Sequence, residues 1–357
     1  MSKPKNIEAL RKKAKEKVDQ LAEGNVLEIF KKVPLDRKTL IIRIFLRAYR
    51  KFDETRYITI IENLLDELFE LDEWEKQDRL MPSDKTQAIS AFFADVLLRI
   101  YDITRINKYL ELARLEYDFL MSSDRARIKE RGNLSYDQKG KSIRAENAYY
   151  IYPFWVRMAI IGDDELSVAK GLNEFFALHH QLWDSDAKLY HSKFRKRLFR
   201  YKFESKKEFS THANAIFLAA IVEMAEILED MVGMRRFKSQ LGFLKKMGVK
   251  LALTLIDCAD KSYSDLIPEK IIPEKIWSKS EGAYRLEDMD LTATLLVSES
   301  SLRLGEIIGG DSEFNNYKVQ ISAFNEKISR KLSKLEDYVK DPRSEIYYRY
   351  LLFIMAL

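Results

Sequence analysis

Three side chains near the middle of the chain have types and spacing that could do chemistry together: Glu146, His191 and His212. A carboxyl lifted in pKa by partial burial holds its proton near neutral pH and can act as a general acid. Tyr149, Tyr150 and Trp155 follow Glu146 and are the expected source of that burial. Neutral imidazole both donates and accepts hydrogen bonds, which suits hydroxyl-rich ligands. His191 and His212 are expected to converge across the loop between them, with Tyr190 and Asn214 beside them to hold a ligand hydroxyl. Each has a plainer reading. A Glu in the first turn of a helix is favoured by the macrodipole alone. The other two histidines, His179 and His180, are adjacent, so on a helix they point roughly 100° apart. No His-x3-His pair or supporting cysteine accompanies them, and neither metal nor cofactor is expected.

The stretch 193–207 is crowded with Lys and Arg interleaved with Phe and Tyr, with Glu204 its one acid. Three readings stay open. Aromatics and Arg can stack on bases while cations meet phosphates. The same residues, Arg195 and Arg197 among them, can attract a carboxylate or phosphate on a sugar. Or the segment is a solvated loop with Phe199, Tyr201 and Phe203 packed down. Asp84 and Asp290 stand at expected helix starts, and Glu287 and Asp288 lie near Trp277, Tyr284 and Arg285. Carboxylates beside aromatics suit carbohydrate clefts, and they are equally ordinary helix caps. The charged stretch 122–141 is expected to form a flap.

These residues need elements to hold them. The 357 residues include only 12 Gly and 7 Pro, with 46% hydrophobic and 33% charged residues, which points to a globular helical protein. Apolar residues recur at helical spacing almost throughout, and no alternating run predicts a strand. Helices pair across short turns: 39–51 with 56–71, 85–101 with 107–121, 146–161 with 165–183, 210–231 with a helix reaching about 257, and 290–308 with 313–338. Gly, Asp and Thr in the turns end one helix and cap the next. A short link forces the two helices antiparallel. A sixth pair is expected from residues 7–21 and 344–357. The connections between pairs are long, at 72–84, 122–144, 184–209 and 259–289, and long loops in compact helical proteins are often functional. Short turns on one face and long loops on the other predict an all-α, (α/α)6 toroid forming one domain over 1–357, with the first and last helices closing the ring. First helices would form an inner ring and second helices an outer one. An open helical superhelix is the alternative, but no fixed repeat period is present.

On that architecture the central block resembles the six-hairpin glycosidases, specifically the unsaturated glucuronyl and rhamnogalacturonyl hydrolases. The similarity rests on Arg144-Ala145-Glu146-Asn147-Ala148-Tyr149-Tyr150, Pro153-Phe154, Gly162-Asp163, and His179-His180-Gln181-Leu182-Trp183-Asp184. It continues through Lys188-Leu189-Tyr190-His191 and His212-Ala213-Asn214-Ala215-Ile216. Glu146 stands where the family has a catalytic Asp, and His212 and Ile216 stand where it has Arg and Trp. The resemblance implies protonation of an enol-ether double bond followed by addition of water, with Glu146 as the acid. It implies sugar binding by His191, His212 and Asn214 and a carboxylate met by Arg195 or Arg197, and Asn147, Tyr150 and Asp290 are further candidates to bind substrate at the mouth. The partner would be a small carbohydrate. A function of another class is a non-catalytic scaffold that binds nucleic acid or an acidic protein through 193–207.

The lone Cys258 excludes an internal disulfide and is expected to be a buried thiol. No apolar run is expected to reach the ~20 residues of a membrane span. The N-terminal residues lack a signal-peptide core, so a cytoplasmic location is expected. A net charge of +5 permits anionic ligands without requiring them.

Overall fold

The computed structural model describes residues 5–71, 87–122, 134–136, 142–197, 200–203, 209–231, 235–261, 266–267, 269–271, 290–309, 312–335 and 341–357. The chain divides into two compact units. One comprises residues 1–84, 89–122 and 334–357, and the other 85–88 and 123–333. Asp84, residues 272–289, and most of the expected flap lie outside the described residues.

The first unit is helical. It contains α1 (Lys5–Glu23), α2 (Val26–Lys32), α3 (Leu35–Phe52), α4 (Arg56–Leu71), α5 (Gln87–Thr104) and α6 (Asn107–Met121). α3 packs on α4, and the Ser90 hydroxyl of α5 donates to Glu116 of α6 at 2.6 Å. The expected pairing of the chain's ends is present. The last helix, Glu345–Ala356, packs on both α1 and α3. α2 has no counterpart in the sequence reading, because seven residues hold too few turns for periodicity to register.

The second unit repeats the hairpin theme with α7 (Glu146–Tyr150), α8 (Tyr152–Ile161), α9 (Glu165–Leu182), α10 (Thr211–Asp230), α11 (Lys238–Asp260), α12 (Leu291–Ile308) and α13 (Asn315–Leu335). The final helix of the chain is therefore α14. The helix expected over 146–161 is two helices, broken at Ile151. Pro153 explains the break, since it lacks an N–H and its ring crowds the carbonyl four residues earlier.

Two classes of helix result. In α5 every residue from Ala91 to Ile100 is buried, and in α10 so are Thr211 and all of Ala213–Ala225. α9 and α11 bury one face and expose the other, as amphipathic helices do. The 20-residue α10, with mean hydropathy 1.4, is long and apolar enough to cross a bilayer, contrary to the expectation that no such run exists. Its 89% burial within the protein is that of a core helix. Cys258 is buried, and burial beside Asp257 pushes its thiol up to about 12.

The turns follow from backbone chemistry. Asp53, Arg105 and Asp163 end their helices with φ of 55°, 59° and 52°, in the left-handed region that lets a helix stop and reverse. Asp tolerates that region because its short side chain bonds locally. Asp164 then caps α9 by accepting from Ser167 N–H at 3.0 Å.

Strands are also present, against expectation. β1 (Ser142–Arg144), β4 (Lys193–Arg197) and β5 (Arg200–Phe203) form a three-stranded antiparallel sheet. β2 (Trp183–Asp184) pairs with β3 (Leu189–Tyr190), and β6 (Phe209–Ser210) with β7 (Lys270–Ile271). Strands of two to five residues are too short for alternation to stand out in a sequence.

Candidate active site around Glu146

Three segments carrying the candidate residues are knitted together by the backbone. Arg144 pairs with Lys193, and Ala145 N–H donates to the Ser192 carbonyl at 3.0 Å. Glu146 thus follows a residue tied directly to the neighbour of His191. The His191 ring lies 4.9 Å from that of Phe209, which leads through Ser210 into the first turn of α10 and His212.

Glu146 opens α7. Its residue surface is partly exposed, but the carboxyl oxygen Oε2 is buried with no hydrogen-bond partner among the described residues. Burial raises its pKa. Its own backbone N–H and the fields of Arg144, His212 and Lys193 pull the other way without cancelling the rise. Among the described residues neither Arg144 nor Lys193 is within ion-pair distance of it. Arg144 instead stacks over Tyr136, 4.2 Å from the ring centre. Trp155 lies further along, in α8. It is wholly buried and packs against α9, where a Cβ at Gly171 would sit 3.2 Å from its ring. Tyr149 is buried beside Tyr150, with ring centres 6.0 Å apart.

His191 follows β3 and donates its N–H to the Leu182 carbonyl at 2.9 Å. Its Nε2 lies 3.5 Å from Asp184 Oδ2. Asp184 Oδ1 meanwhile accepts from the N–H groups of Asp186 and Ala187, which fixes the carboxylate. A carboxylate held this way orients the imidazole, a role the sequence reading did not give Asp184. The signal was the Asx turn of Asp184-Ser185-Asp186 before a short strand.

Other expected site residues serve the scaffold. Asn214 is fully buried and accepts from Tyr190 N–H at 2.7 Å, while its amide donates to the carbonyls of Tyr190 (3.0 Å) and Ser210 (2.9 Å). Those bonds leave it holding β3 to α10 rather than reaching a ligand. Tyr190, expected to hold a ligand hydroxyl, is completely buried, stacked on Phe217 at 3.7 Å, with its hydroxyl 2.7 Å from His179 Nδ1. Asn147 is buried and donates to the Leu134 carbonyl at 2.9 Å. Asp290 caps α12 through the Ala293 N–H at 2.8 Å.

His179 and His180 end α9 as expected. Burial, with His180 and Lys250, drives the His179 pKa down to about 4, so its ring is neutral. Among the described residues no group of three His, Cys, Asp or Glu could hold a metal ion. The described part of 193–207 is a β-hairpin, and Arg195 and Arg197 occupy register positions on β4. A pocket of about 560 Å³ lies elsewhere, lined by Lys32, Arg37, Asp341 and Arg343 among others, and no expected site residue borders it.

No protein-family model matches the sequence, and no curated protein matches it. Solved structures do resemble it. The GH76A alpha-1,6-mannanase from Salegentibacter sp. HEL1_6 superposes with a TM-score of 0.69 at 10% identity, covering 98% of each chain. A possible member of the GH105 family from Salmonella enterica serovar Paratyphi A gives 0.72 at 11% identity, covering 98% of this chain and 93% of that one. A polysaccharide lyase gives 0.64 at 13%, covering 96% and 97%. This likeness over nearly the whole length establishes the fold as the all-α (α/α)6 toroid of these glycosidases.

Proposed function

We propose that the protein acts on a carbohydrate at the site around Glu146, with this residue as the proton donor. The observation carrying the reading is the buried, unpartnered Oε2 of Glu146 beside Arg144, His212 and Lys193. A structural carboxylate would be paired or capped. One that is buried, raised in pKa and short of a partner is arranged to hold a proton and release it to a substrate. His191, fixed by Asp184, and His212 supply donors and acceptors for sugar hydroxyls. The kinds of structure it resembles support the same class, among them inactive variants of the mannanase solved with alpha-1,6-mannotriose. They lend nothing to the nucleic-acid scaffold reading.

The substrate class follows from the reaction the chain's motifs imply. An unsaturated uronide has an enol-ether double bond that accepts a proton, after which water adds to the resulting cation. The cationic neighbours of Glu146 suit the uronide carboxylate. Because the Glu146 pKa is raised, the acid form persists to higher pH than a free glutamic acid. Turnover should therefore decline as pH rises through that raised value. The test is loss of the conjugated double bond's ultraviolet absorbance with unsaturated oligouronides across a pH series. Glu146→Gln should lower kcat by about 10²–10⁴-fold and remove the alkaline limb, with little change in KM. Wild-type turnover by Glu146→Gln would sink the assignment.

A further inference from the structure

We propose that one face of the paired strands β4 and β5 is a docking platform for a polyanionic glycan, seated so that the chain runs on to Glu146. The proposal rests on the carbohydrate reading above and adds where the flanking ligand binds and what charge it carries.

The argument comes from register. Arg144 is opposite Lys193, Arg195 is opposite both Ser142 and Lys202, and Arg197 is opposite Arg200. Successive strand residues alternate between faces, and directly opposed residues share one. The positions of Arg144, Lys193, Arg195, Arg197, Arg200 and Lys202 therefore fall on one face, with no acidic position among them. The other face takes Ile143, Phe194 and Phe203, and both Ile143 and Phe194 are buried. Those two positions are turned to the protein; on the cationic face Ser142 is buried as well and Tyr136 lies over Arg144, so β1 is covered on both sides and the platform is that of β4 and β5. Strand spacing of roughly 4.8 Å and a two-residue repeat of roughly 6.8 Å spread the six cationic positions over an area on the order of 10 by 14 Å.

Like charges directly opposite one another weaken a sheet, and here three such pairs follow in succession. Anions lying between the rows would turn that repulsion into attraction. Neither Arg144 nor Lys193 has a carboxylate partner within ion-pair distance among the described residues. Both lie at the end of the sheet next to Glu146 and act on it electrostatically. Register also decides between kinds of polyanion. Among the strand positions Phe194, Tyr201 and Phe203 share the opposite face, and the aromatic on the cationic side, Tyr136, is already stacked on Arg144, so no strand position there presents a ring to a nucleobase. A glycan bearing several carboxylate, sulfate or phosphate groups needs only the cations.

Binding of the full-length protein to four probes tests this by calorimetry at graded salt: oligogalacturonate, a sulfated oligosaccharide, a neutral mannan oligomer and single-stranded DNA of matched charge. Either anionic oligosaccharide should bind more tightly than the neutral one, and which of the two binds identifies the anionic group. The triple variant R195Q/R197Q/K202Q should lose at least tenfold in affinity for it, while Lys196→Gln, on the opposite face, should not. If the triple variant does not fold, Arg195→Gln and Lys202→Gln alone should each reduce the slope of log Kd against log salt by about one. Unchanged binding by these variants, an equal loss in Lys196→Gln, or DNA binding as tight as the glycan's would overturn the proposal. Glu146→Gln separates the two readings. It should lose turnover but keep this affinity.

Discussion

Glu146 and His179 are opposite results of burial acting on an ionisable group. Burial raises the carboxyl and lowers the imidazole, in each case favouring the neutral form. For His179 the consequence can be read from stability. Its folded pKa of about 4 lies below the ordinary 6.5, so the unfolded chain binds more protons between those values. The stabilising contribution is fully present above about pH 6.5 and is lost as pH falls toward 4, by at most about 1.4 kcal/mol per pH unit. His179→Phe should flatten this acid limb in urea unfolding curves taken from pH 7 to 4. A limb as steep as the wild type's would show that another group controls it. At this scale residue types made Glu146, His191 and His212 visible in the sequence. The partners of those residues were not visible, because Asp184 reaches His191 only after a turn folds back, and Lys193 reaches Glu146 only through a strand pairing.

Between residue and fold stand the short elements, and Asn214 shows how much they depend on single side chains. Its amide satisfies both backbone groups of Tyr190 and the carbonyl of Ser210, at the junction of β3, β6 and α10. Asn214→Ala would leave these groups buried without partners, at a cost of about 2–4 kcal/mol. Thermal and urea unfolding should show that loss. A residue serving only to bind sugar would leave stability unchanged and alter affinity alone. Much at this scale was legible. Helices 56–71 and 107–121 have the expected ends, since the turns around Asp53 and Arg105 announce themselves by capping chemistry. The small sheet was not. In Lys193–Arg197 every position but Phe194 is basic, so the alternation that marks a strand is absent and charge alone suggested a loop.

For the whole chain, the alternation of short turns and long connections was enough to read the toroid, because loop length constrains how helices can be neighbours. The helix interiors were less legible. Arg and Glu on apolar helices read as outward residues, yet each unit buries a charged network. In the first unit Asp95 accepts from Arg99 at 2.8 Å, with Arg43 at 3.9 Å. In the second, Arg303 of α12 donates to Glu223 of α10 at 2.8 Å, bonds Glu226, and lies 3.5 Å from Glu299. Arg157 of α8 completes the group, 3.3 Å from Glu223. Burial alone would lower the Arg303 pKa, but Glu223, Glu226 and Glu299 outweigh it and the net shift is upward. The network is asymmetric. Glu223 has two cations, so Glu223→Gln leaves Arg303 with two carboxylates. Arg303→Met removes the guanidinium that meets Glu223, Glu226 and the buried Glu299 together. Breaking a buried ion pair by deleting one member costs about 3–5 kcal/mol, because the remaining charge stays desolvated. Arg303→Met should therefore fall in that range by urea unfolding and Glu223→Gln clearly below it. The double variant should be less destabilised than the sum of the two, since the second change removes a buried carboxylate that the first deprived of one of its cations. Equal costs for the two single changes would mean that solvent reaches the network, and that helices α8, α10 and α12 are held together by apolar packing alone.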